Sequence, residues 1–82
     1  MSIASDLERF ILDEIVQGTG VESVDPTEDL LASGVIDSHG LMEVVAFLES
    51  RYGVAVSDDD LLPENFESLA SIEAFVTRKA AA

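Results

Sequence analysis

Apolar residues recur along this chain in blocks whose spacing belongs to helices. Leu7, Phe10, Ile11 and Ile15 share one face of a helical wheel, and Ile3 extends the stripe. The pattern predicts a first helix over residues 3–17, opened by a capping box of Ser5 and Glu8 and ended by Gly18 and Gly20. Leu41, Val44, Val45, Leu48 and Tyr52 repeat the pattern and predict a second helix over 38–52. Asp37 and Ser38 supply cap chemistry at its start, and Gly53 supplies its stop. Ser57 with Asp60 predicts a brief third helix through Leu62, ended by Pro63. Leu69, Ile72, Phe75 and Val76 predict a last helix capped by Ser68. Arg78 and Lys79 lie at its negative end, and a frayed tail follows from Ala80 to Ala82. Val54, Ala55 and Val56 have strand-like composition but no partner strand, so they read as an extended connector.

The segment between the first two helices, residues 18–37, is long for so short a chain. Asp25, Pro26, Thr27 and Asp29 carry turn chemistry. Val21, Val24, Leu30, Leu31, Val35 and Ile36 give the loop enough apolar surface to pack against the helices, and Gly34 permits a turn there. The expected fold is all-α. It is a four-helix bundle with a short third helix and a long packed loop, formed as one domain over residues 1–82.

Charge narrows the function classes. Seventeen Asp and Glu against four Lys and Arg leave a formal charge of −13, which repels nucleic acid and anionic membranes and favours basic surfaces on protein partners. The same acidity serves equally to keep a monomer soluble. The absence of Cys excludes disulfides and thiolate chemistry, and the one His leaves too few ligands for zinc. No apolar run is long enough to span a bilayer, and Asp6 precedes the first base, Arg9, so a cytoplasmic location is expected. Asp58, Asp59 and Asp60 lack the Gly and closing Glu of a calcium loop and read as an acid-rich helix start. Ser38 beside His39 does not make a hydrolase pair, because neighbours on a helix point apart.

The stretch Gly34-Val35-Ile36-Asp37-Ser38-His39-Gly40-Leu41 is different. With Leu30-Leu31 before it, the apolar face of the second helix after it, and the exit Tyr52-Gly53-Val54, the chain resembles acyl and peptidyl carrier proteins. The resemblance implies a freestanding, non-catalytic carrier. Ser38 would bear a 4′-phosphopantetheine arm taken from coenzyme A, and Asp37 would cap the helix and meet the phosphopantetheinyl transferase. An ATP-dependent acyl- or aminoacyl-activating ligase would load the arm, and a downstream transferase or condensing enzyme would unload it. His39, Met42, Glu43, Ala46 and Glu49 would face these partners. Gly40 would leave the backbone beside Ser38 approachable. His39 departs from the Leu common at this place, and it is equally readable as an incidental surface residue. The run Gly34–Gly40 with Pro63–Phe66 is similar to carriers of aminoacyl or small acyl units, such as the D-alanine carriers, more than to fatty-acid carriers. Phe47 and Phe66 are expected to fill the interior, leaving short or polar cargo outside. Two readings without an arm stand beside this one: an acidic domain that docks a basic amphipathic helix, and, more remotely, a serine hydrolase.

Overall fold

A computed structural model describes residues 2–16 and 20–81 of the chain. The first apolar stripe folds as α1 (Ile3–Phe10) and runs on into a π-helical segment, Ile11–Ile15. The cap lies one turn earlier than the sequence suggests. Ser2, not Ser5, accepts from a backbone N–H, that of Ser5 at 3.0 Å. The extra turn is held because Ile3 and Ala4 pack on the core and the Ala4 N–H donates to Glu73 at 3.1 Å. Glu8 is thereby released from capping. It accepts from the Val24 N–H at 2.7 Å and fastens the loop to the helix. The helix closes at Val16, before Gly20; Gly18 lies outside the described residues.

The loop packs on the core through part of its apolar set. Val24, Leu30 and Ile36 are buried and Val35 packs against them, as expected of a packed loop, whereas Val21 and Leu31 stay exposed. Leu30 and Leu31 are neighbours in a tight turn, so only one of them can face the core. Backbone bonds hold the loop down: Leu30 N–H to the Glu67 carbonyl at 2.8 Å, Ala70 N–H to Pro26 at 3.0 Å, and Ile36 N–H to Leu30 at 3.1 Å.

The second helix, α2 (Ser38–Tyr52), has the predicted bounds. Val44, Val45 and Leu48 face the core, and Gly53 ends the helix at φ 69°, where a side chain would be strained. At this end the Tyr52 hydroxyl donates to Asp6 at 2.9 Å, and Arg51 approaches the same carboxylate at 3.5 Å. Burial, then the hydrogen bond to Asp6, raises the Tyr52 phenol above its ordinary 10.0. The unfolded chain therefore loses this proton first as pH rises. The stability tied to Tyr52 is complete below pH 10.0 and declines above it. Tyr52→Phe should cost about 1 kcal/mol near neutral pH, the net worth of one hydrogen bond. It should also flatten the decline of denaturant midpoint above that pH, measured by circular dichroism.

Val54–Val56 is an extended connector, as expected, and a 3-10 turn follows at Asp58–Asp60. Pro63 does not simply end that turn. It opens a short helix, α3 (Pro63–Phe66), where a missing N–H costs nothing because the first helical turn has no acceptor for it. Ser68 caps α4 (Leu69–Ala81) by accepting from the Ser71 N–H at 3.2 Å. The tail is helical through Ala81 rather than frayed from Ala80, and Lys79 in the last turn reaches Asp60 at 2.8 Å. That hydrogen bond, with the Ser57 N–H next, holds the Asp60 carboxyl below its ordinary value.

The α4 helix packs against α1, α2 and α3, so the core lies around it. Phe66, Phe75, Ile72, Leu7, Ile11, Leu30, Leu48 and Val76 are all nearly inaccessible there. The described residues form an all-helical bundle with no strand. No helix among them is long and apolar enough to cross a membrane.

Candidate functional site

The start of α2 is built by two anchors and one cap. Ile36 is buried, which pins the chain one residue before Asp37. Asp37 then takes an extended conformation, and its carboxylate accepts from the Gly40 N–H at 2.8 Å. Its carbonyl accepts from the Leu41 N–H, also at 2.8 Å. Asp37 alone is the cap; Ser38, expected to share that work, is the first residue inside the helix. The Ser38 and His39 N–H groups have no acceptor among the described residues, so the positive end of the helix dipole is open where they point. Ser38 is exposed, and its hydroxyl likewise has no partner there. An accessible hydroxyl beside two free N–H groups at a helix N-terminus suits a covalently linked phosphate.

Gly40 serves another purpose than access to Ser38. It is buried, and a Cβ at this position would meet Ile36 Cβ at 3.2 Å and Ile15 Cγ2 at 3.5 Å. The bare backbone lets the end of helix one and the loop close on α2. His39 points outward and places Nε2 3.0 Å from Glu43 one turn on. A histidine engaged with Glu43 is not positioned to take a proton from Ser38, which removes the hydrolase geometry.

The residues expected to face partners divide. His39, Met42, Glu43 and Ala46 lie on one outward side of α2, with Met42 54% exposed. Glu49 is exposed too, but it accepts from the Val56 N–H at 2.9 Å and fastens the connector. Leu31 and Leu62 are further exposed apolar residues that periodicity did not single out. The only sequence sign of Leu31 was its adjacency to Leu30.

Phe47 is not in the interior. It is half-buried between α1 and α2, stacked on Phe10 with ring centroids 4.5 Å apart. Phe66 is the interior ring, 5.3 Å from Phe75.

The family profile described as "phosphopantetheine attachment site" matches residues 9–76. Among solved structures, KstB-PCP in its apo form is 41% identical, with a TM-score of 0.72 over 95% of this chain and 86% of that one. A chain in a structure named for an FAD-dependent dehydrogenase is 27% identical, with a TM-score of 0.75 over 85% of this chain and 97% of that one. That second chain is itself small, since a match of this length covers nearly all of it. No curated protein matches.

Proposed function

Because this chain belongs to the phosphopantetheine attachment site family, we propose that Ser38 is the residue that carries its arm. Membership brings a covalently held 4′-phosphopantetheine and a carrier role rather than a catalytic one. It also sets aside the reading as an interaction domain without a prosthetic group. The choice of Ser38 is supported by its exposed, unpartnered hydroxyl at the first position of α2. In attachment, the Ser38 oxygen bonds to the phosphorus of coenzyme A that bears the pantetheine. The bond from that phosphorus to the adenosine bisphosphate breaks, and the seryl proton passes to a base of the transferase. Asp37 keeps the helix start rigid, and the free N–H groups of Ser38 and His39 receive the phosphodiester oxygens. The arm contributes a thiol on which cargo is held as a thioester.

The reading extends to a single carrier domain over residues 1–82, monomeric and cytoplasmic, where coenzyme A and ATP are at hand. An ATP-dependent aminoacyl- or acyl-activating ligase loads it, and a transferase or condensing enzyme takes the cargo on. His39, Met42, Glu43 and Ala46 form the outward face offered to these partners, with Glu49 at its edge. Incubation with coenzyme A and a broad-specificity phosphopantetheinyl transferase should raise the intact mass by one phosphopantetheine. A chain that stays at its starting mass, while a control carrier is modified in the same tube, would refute the proposal.

A further inference from the structure

The α1 and α2 helices meet along a groove that Ser38 does not face. Its floor is the stacked pair Phe10 and Phe47, with Tyr52 set edge-on to Phe47 at 6.3 Å. Ala46, Glu14 and Glu43 line the part nearer the start of α2, and Asp13, Arg9 and Arg51 the part beyond. Phe47 lies nine positions after Ser38. At about 100° per residue they stand on opposite sides of the helix, roughly 180° apart.

Two half-buried aromatic rings in an open groove are a surface the chain does not close by itself. The rim says what would close it. Asp6 is already held by Tyr52 and Arg51. Glu43 holds His39, a neighbour that is charged only when protonated. What remains is Asp13, Glu14 and Glu43 against Arg9, so the rim is acidic. A second copy would press acidic rim on acidic rim in a chain of charge −13, and nucleic acid is repelled for the same reason. The π-helical segment Ile11–Ile15 lies along this same groove, and such interruptions of a helix are frequent at functional sites.

We propose that the α1–α2 seam, floored by Phe10 and Phe47 and rimmed by Glu14 and Glu43, docks a basic helical segment of a partner protein through an apolar side chain. A partner held there covers Glu43 and Ala46 at the edge of the outward face of α2, while Ser38 itself is not among the residues that line the seam. The inference does not depend on the arm: mass gain at Ser38 tests the carrier reading, and the experiment below tests only the seam.

The test titrates the ¹⁵N-labelled full chain with a synthetic helical peptide of Leu and Lys, and with its Leu and Glu counterpart. The basic peptide should shift the amides of Phe10, Glu14, Glu43 and Phe47 first and most, and the acidic peptide should shift none. The double variant Glu14→Gln, Glu43→Gln should weaken binding about tenfold, and added salt should weaken it in the wild type. Phe47→Ala, with its fold checked from the same spectrum, should also weaken it. Shifts centred on Leu31, Met42 and Leu62, shifts spread evenly over Asp58–Asp60 and the other acids, or undiminished binding by the double variant would each overturn the proposal. So would the absence of binding.

Discussion

Ser38→Ala should gain no mass from coenzyme A and the transferase, while melting almost as the wild type does. The first half follows from the chemistry: without the oxygen there is no atom to bond to phosphorus. The second half follows from the position. Were Ser38 the cap, its loss would cost about 1 kcal/mol. Asp37 is the cap, and the Ser38 hydroxyl has no partner among the described residues, so a change within about 0.5 kcal/mol is expected. Asp37→Ala gives the contrast, because it frees the Gly40 N–H and should cost about 1 kcal/mol. Intact mass and thermal melting on the same samples separate loss of the acceptor from loss of the fold. Persistent mass gain in Ser38→Ala would move the attachment to another exposed hydroxyl, such as Ser33 or Ser57.

Leu30→Ala should destabilise the chain by about 2–5 kcal/mol, whereas Leu31→Ala next to it should change stability by no more than about 0.5 kcal/mol. Leu30 is 0% exposed and Leu31 40%. Truncating Leu30 removes buried methyl groups and leaves a cavity under the loop, close to where its N–H donates to Glu67. A domain of this size has roughly 4–12 kcal/mol of total stability, so the loss is a large share of it. The effect should reach function as well. Leu30 accepts from the Ile36 N–H, and Ile36 is the anchor just before Asp37 and Ser38. Urea midpoints for both variants check the stability difference. The rate of arm attachment, measured where both remain folded, checks whether the loop positions Ser38. Equal midpoints for the two variants would contradict the division of inner and outer residues in this loop.

Much of this protein is legible in its sequence alone. The apolar stripes of α2 and α4 have helical period, and Asp37, Gly53 and Ser68 mark ends through bonds made within a few residues. Local features of this kind depend on nearest neighbours along the chain, which is why they survive without knowledge of the fold. The run from Gly34 to Leu41 was legible for the same reason. Other features depend on what lies across the bundle. Glu8 had the spacing of a capping box, yet it accepts from the Val24 N–H across the loop instead. Gly40 looked like an opening beside Ser38, and the approach of Ile15 and Ile36 made it a point of close packing. Phe47 had the hydrophobicity of a core residue, but its place on α2 faced Phe10 at the seam. Periodicity tells which side of a helix is apolar; which neighbour covers that side, and how completely, depends on how distant segments fill the same volume.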